Sequence, residues 1–93
     1  MPTDRAAFIA EQTARALAEC ASEVEPGRAR RFPGWIGEAL DVLAAEGMDP
    51  LADGRGLAAQ YARRYARWKA GDLPTAKAVE TSRGRWRRVV ARS

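Results

Sequence analysis

The chain has 93 residues, and 20 of its 43 apolar residues are alanine, so Leu, Ile, Val and Phe together supply only 15 side chains to a core. With a net charge of only +4 and apolar residues that recur periodically, this composition predicts a compact helical domain over residues 1–93 and not a disordered chain. Having no histidine and one cysteine, Cys20, the sequence excludes the usual Cys/His metal site, a His-dependent catalytic set and an internal disulfide.

The first helix is expected from about Asp4 to Val24, with Thr3 or Asp4 as N-cap and Pro26-Gly27 as the stop. Ala6, Ile9, Thr13, Leu17, Cys20 and Val24 fall on one face at 100° per residue and form the expected core stripe. Glu11, Arg15 and Glu19 lie opposite at ion-pair spacing, and Phe8 falls on that same outer side. This outer face is the candidate protein-binding surface, for a homodimer or for a larger protein complex. Cys20, on the apolar stripe, is expected as a small core residue.

Next comes a basic loop, Arg28 to Gly34, read as a solvated linker with Phe32 turned inward. A second helix begins at Pro33-Gly34 and ends at Glu46, with Gly47 as a left-handed C-cap. Trp35, Ile36, Ala39, Leu40, Val42 and Leu43 cover more than half its circumference, which makes it the most buried helix. Asp49-Pro50 reads as a cap and a short helical turn, broken by Asp53-Gly54-Arg55-Gly56. Asp49 and Asp53 lack the further oxygen ligands of a calcium loop and are read as caps.

A third helix, Leu57 to Ala70, carries Leu57, Tyr61, Tyr65 and Trp68 as an aromatic stripe and Ala59, Ala62, Ala66 and Ala70 over much of the rest. Two such faces place it near the middle of the fold. The stripe could serve as a stacking platform for bases, but its helical spacing favours core packing. Gly71-Asp72-Leu73-Pro74 then forms a four-residue break before a fourth helix that reaches Ala91. Its expected core face is Ala78, Val79, Trp86, Val89 and Val90, with Lys77, Thr81, Gly84, Arg88 and Arg92 turned away and Arg85 and Arg87 on the flanks. The fold class is therefore all-α: a compact bundle of four helices plus a short helical turn, the last two in a helix-turn-helix-like arrangement.

Charge organises the chain more strongly than any motif. Residues 1–50 hold nine acids and five bases, a net of −4, while residues 51–93 hold eleven bases and three acids, a net of +8. From Ser82 to Arg88, four arginines surround one tryptophan with no acid among them, denser than solubility requires. Such a helix can neutralise phosphates, and arginine can pair with guanine edges. Gly84 has two readings: it weakens the helix at a cost of about 1 kcal/mol against alanine, or it opens the backbone to a phosphate or base edge. The pattern Gly71, Pro74, Thr75, Val79 is similar to the turn before the recognition helix in plasmid-borne DNA-binding proteins of the KfrA type; a Pro-Thr helix start also serves capping alone, and no family is assigned on it.

These features lead to the expectation of a non-catalytic nucleic-acid-binding protein, with DNA preferred to RNA as partner. Lys77, Thr81, Arg85 and Arg88 would face the duplex, with Arg63, Arg67, Arg87 and Arg92 on phosphates. About six engaged phosphates would give a slope near −5 for log affinity against log salt. The rival expectation is a small interaction module that inhibits or adapts a larger, nucleoprotein-like complex through its polarised charge. No cofactor, catalytic residue or metal ligand is expected. The absence of a basic-flanked apolar leader and of 18 consecutive apolar residues predicts a cytoplasmic protein with no membrane partner.

Overall fold

The computed structural model describes residues 4–92, and among them all regular structure is helical. Four long helices, α1 (Asp4–Glu19), α3 (Phe32–Ala44), α4 (Arg55–Lys69) and α5 (Lys77–Ala91), are joined by a single-turn helix α2 (Pro26–Ala29) and by turns. The all-α bundle is the expected one. Thr3, one of the two expected caps of the first helix, lies outside the described residues. The body measures 39 × 34 × 18 Å, about two helices thick, so each long helix keeps one face in solvent.

At the centre is α4, which packs against α1, α3 and α5. Its inward face is built from alanine: Ala58, Ala62 and Ala66 are fully buried, and Ala59 and Ala70 nearly so. A face of methyl groups lets neighbouring helices come close without large side chains holding them apart, which suits a chain poor in leucine. The large groups come from the neighbours. Phe32, Trp35, Ile36, Leu40 and Leu43 of α3 are buried, as are Phe8 of α1 and Val79, Trp86 and Val90 of α5. Of the aromatic stripe of α4, only Tyr61 belongs to the core; Tyr65 is half-buried and Trp68 emerges at the surface.

The buried face of α1 is rotated by about one residue, roughly 100°, from the expected stripe. Phe8, Gln12 and Ala16 are the buried residues, Ala6 is exposed, and Ile9, Leu17 and Cys20 sit at the margin. Two factors produce this. Phe8 has the largest apolar area on the helix, and Gln12 can be buried because its amide is satisfied: Oε1 accepts from Arg63 Nη1 at 2.7 Å and Nε2 donates to Glu11 Oε2 at 3.3 Å. Helix α1 also stops at Glu19, five residues before Val24. The Ala21 amide donates at 2.9 Å to Asp72, 51 residues away, instead of continuing the helical ladder.

Other boundaries move for local reasons. The basic loop contains α2, and Arg28 Nη1 donates to the Ala70 carbonyl at 2.8 Å, satisfying the C-terminal end of α4. Gly47 has the expected left-handed conformation, with φ +87°. Asp49 and Asp53 act as expected: the Leu51 amide donates to Asp49 Oδ1 at 2.9 Å and the Asp49 amide to Asp53 Oδ2 at 3.4 Å. The connection between α4 and α5 spans the seven residues 70–76, not four, because Pro74 and Thr75 stay outside the helix and α5 starts only at Lys77. Helix α5 runs unbroken through Gly84, and Ser82 takes the buried place expected for Val89, which is 44% exposed.

Gly54 and Trp86 form the joint that fixes α5. Trp86 is fully buried and its Nε1–H donates to the Asp53 carbonyl at 2.9 Å. Gly54 has φ +65°, and a Cβ there would lie 3.0 Å from Val90 Cγ1 and 3.1 Å from Trp86 Cδ1. Replacing Gly54 by alanine is expected to cost about 2–4 kcal/mol, combining left-handed strain with crowding of the indole. Gly56→Ala, where an added Cβ meets nothing within 4 Å, is expected to raise stability by up to about 1 kcal/mol. Urea unfolding of both variants checks this; equal midpoints would contradict the joint.

Candidate nucleic-acid interface

The buried residues of α5 lie along one side, leaving Lys77, Thr81, Arg85, Arg88 and Arg92 exposed on the other. At 1.5 Å per residue this stripe extends about 22 Å. Lys77, Arg88 and Arg92 form no ion pair with any described residue, and Arg85 has only a 3.4 Å hydrogen bond from Nη1 to Gln60 Oε1. Gly84 lies on the same face. A Cβ at Gly84 would approach only Arg88 Nη1, at 3.7 Å, and its φ is ordinary. Neither packing nor backbone conformation requires a glycine there.

The remaining expected phosphate ligands are engaged inside the molecule. Arg63 Nε donates to both Glu19 oxygens, at 3.0 and 3.2 Å, and Arg63 Nη1 to Gln12, which ties α4 to α1. Arg67 Nε donates to Asp72 Oδ2 at 2.8 Å. Arg87 clamps Glu46 with Nε at 2.6 Å and Nη2 at 3.3 Å, and Arg83 Nε stands 3.5 Å from the same carboxylate. The Glu46 hydrogen bond and charge raise the Arg87 pKa above its ordinary value. Arg64, not among the expected site residues, donates through Nη1 to Ser82 Oγ at 2.6 Å, and Ser82 Oγ donates onward to the Ala78 carbonyl at 3.0 Å. The acidic half thus meets the basic half in the fold; the cations that no carboxylate pairs include those on the outer side of α5, with exposed Arg30, Arg31 and Lys69 elsewhere on the surface.

On α1 the expected protein-binding set separates. Phe8 is 1% exposed, with the Arg55 guanidinium 5.8 Å from its ring centroid, so it is a core residue and not a surface anchor. The reason is the rotation of the helix described above. Glu19 is held by Arg63. Glu11 and Arg15 remain on the surface, paired with each other at 3.4 Å beside exposed Ala7, Ala10, Ala14 and Ala18.

Three further features bear on chemistry. Cys20 is half-buried and its thiol donates to the Ala16 carbonyl at 3.2 Å. Burial, and then the Asp72 charge, push that thiol above its ordinary pKa, away from the thiolate a nucleophile needs. A cleft of about 230 Å³ between the loop after α1 and the α4–α5 connection is lined by polar groups, with Arg28 and Asp72 already engaged. No helix among the described residues is long and apolar enough to cross a membrane.

Asp72 is the electrostatic latch between the two connections. Its side chain is 6% exposed, and burial alone would raise its pKa. The Arg67 hydrogen bond, the Ala21 and Ser22 amides and the Arg67 charge outweigh burial and hold it below the ordinary value of 3.8. A carboxylate depressed in the folded state contributes stability that is fully present above the unfolded value and is lost as pH falls through the folded one. Stability is therefore expected to decline below about pH 4. Asp72→Asn should cost about 1–3 kcal/mol at pH 7 and flatten that acid limb, read from urea midpoints across pH. Parallel pH curves for the two proteins would contradict the latch.

Compared with protein-family models, with curated proteins and with solved structures, the chain gives no match to any of them.

Proposed function

We propose that this protein is a non-catalytic nucleic-acid-binding protein that holds double-stranded DNA along the outer face of α5. The observation that carries this reading is the row of exposed Lys77, Arg85, Arg88 and Arg92, unneutralised in a fold that pairs Arg63, Arg67 and Arg87 with carboxylates. A cationic row on a straight helix suits a polyanion: each phosphate contact releases a counterion and adds affinity without reading sequence. Thr81 can add a hydroxyl contact to a phosphate, and an arginine reaching the major groove can pair with guanine through two hydrogen bonds. Gly84 supports the same reading. A helix-interior glycine that nothing in the fold requires, set within the cationic row, lets a phosphate or base edge approach the backbone.

A second reading, docking onto a larger protein complex or a second copy, is favoured by α1, where Glu11 and Arg15 flank exposed alanines. On that reading, charge reversal at Glu11 and Arg15 abolishes complex formation and reversal on α5 leaves it intact.

Fluorescence anisotropy with a labelled duplex at roughly 50 mM salt tests the first reading. Arg85→Glu with Arg88→Glu is expected to weaken binding at least about tenfold while leaving the urea midpoint nearly unchanged. Arg63→Ala should do the reverse, lowering stability by about 1–3 kcal/mol with little change in affinity per folded molecule. Gly84→Ala is expected to stabilise the fold by up to about 1 kcal/mol and weaken binding at the same time. Failure of the wild-type protein to bind any duplex would overturn the reading.

A further inference from the structure

The aromatic residues of α4 form a ladder that leaves the core. Tyr61 is 2% exposed, its ring lies 5.9 Å from that of Tyr65, and Tyr65 in turn lies 5.9 Å from Trp68, which is 36% exposed. The Tyr65 hydroxyl donates to Glu38 Oε1 at 3.4 Å, and its ring meets the indole edge-on at 65°. Burial, then the Glu38 charge, keep that phenol protonated and able to donate. The exposed indole is thus braced from below by a ring that is itself anchored, and little freedom is lost when a ligand stacks on it.

A cation stands directly against this ring. The Lys69 ammonium stands 5.6 Å from both the Tyr65 and the Trp68 centroids. Arg64 precedes Trp68 by one helical turn, and Arg28 reaches the Ala70 carbonyl at the end of the same helix. Asp72 is paired with Arg67 and accepts from the Ala21 amide, while Glu38 lies on the far side of the ladder, at the Tyr65 hydroxyl. Helix α4 ends where the connection to α5 begins, so this corner stands at the end of the molecule from which the cationic row starts.

We propose that Trp68 and Lys69 receive an unpaired nucleobase and its adjoining phosphate, so that the nucleic acid bound here carries single-stranded nucleotides beside a duplex. The inference rests on the α5 reading for the duplex part. A base within a duplex has both faces covered by its neighbours, whereas an unpaired base offers a π-face of the size of the exposed indole. In the resting protein Lys69 covers the rings; its four-carbon stem lets the ammonium swing to a phosphate as the base arrives. A solvated ammonium–ring contact is weaker than a stacked base, so the exchange is favourable. One exposed indole with an ammonium beside it offers too small an apolar patch for a protein partner and suits a group that joins an aromatic face to an anion.

Intrinsic fluorescence isolates this corner, because Trp86 is fully buried and Trp35 is 7% exposed. A blunt duplex, the same duplex with a short oligothymidine tail, and the tail alone are titrated into the wild-type protein, Trp68→Ala, Trp68→Phe and the Arg85→Glu/Arg88→Glu double variant. The tailed duplex is expected to bind about 5- to 150-fold more tightly than the blunt one and to quench emission. Trp68→Ala should abolish that preference and leave blunt-duplex affinity unchanged; Trp68→Phe should keep part of the preference and lose the quenching. Equal affinity for tailed and blunt duplexes, or a preference that survives Trp68→Ala, overturns the proposal while the α5 reading stands. Quenching by the tail with no affinity for the blunt duplex leaves the stacking corner in place and sinks the α5 reading and the joint duplex-and-tail ligand. No binding to any of the three ligands overturns both.

Discussion

The alanine face of α4 is the constraint on which the rest of the structure depends. Ala58, Ala62 and Ala66 are fully buried among α1, α3 and α5, and close approach at these methyl groups lets a leucine-poor chain assemble a core from Phe8, Phe32, Trp35 and Trp86. It also determines where the arginines of α4 go. With the inward face occupied by alanine, Arg63, Arg64 and Arg67 emerge at the seams between helices, within reach of Glu19, Ser82 and Asp72. Packing of small residues and pairing of charges are therefore two consequences of one arrangement.

The polarity of the sequence, −4 over residues 1–50 against +8 over residues 51–93, takes on a different meaning in three dimensions. Glu46 receives both Arg83 and Arg87, Glu19 receives Arg63, and Asp4 stands 3.9 Å from Arg55. Many of these pairs are at least partly exposed and individually weak, but together they direct the basic half onto the acidic one. Their functional consequence is subtraction: after internal pairing, the positive charge of α5 is concentrated on a single outward stripe. Glu80, the one carboxylate of α5, sits on the flank beside Arg83, 4.0 Å away, and not within the row Lys77, Arg85, Arg88 and Arg92.

Much of this was legible in the sequence. Gly47, Gly54 and Gly71 marked three of the breaks, whereas Pro26-Gly27, expected as the stop of the first helix, opens α2; helical periodicity identified α3 as the buried helix and α4 as the central one, and the outward positions of α5 came from simple spacing. The failures share a cause, which is that long-range partners are invisible to local patterns. The end of α1 at Glu19 is set by an amide that Asp72 takes from 51 residues away. The inward turn of Phe8 depends on Gln12 being satisfied by Arg63, and the helical pattern alone treats glutamine as a solvent residue. Likewise, Arg63, Arg67 and Arg87 were indistinguishable by composition from Arg85, Arg88 and Arg92. The signal that separates them is proximity to a carboxylate, which only the folded chain supplies. Trp68 looked like one more member of a core stripe because periodicity does not say where a helix runs out past its neighbours.

The salt dependence of duplex binding tests the central claim most directly, because its slope counts phosphates engaged. Four outward cations, Lys77, Arg85, Arg88 and Arg92, predict a slope of about −3.6 for log affinity against log salt, shallower than the value near −5 for six contacts. A slope close to that smaller figure, reduced by about two when Arg85 and Arg88 are neutralised to glutamine, is the predicted result. A slope near zero, or one unchanged by the two substitutions, would contradict the assignment of this helix face to the nucleic-acid backbone.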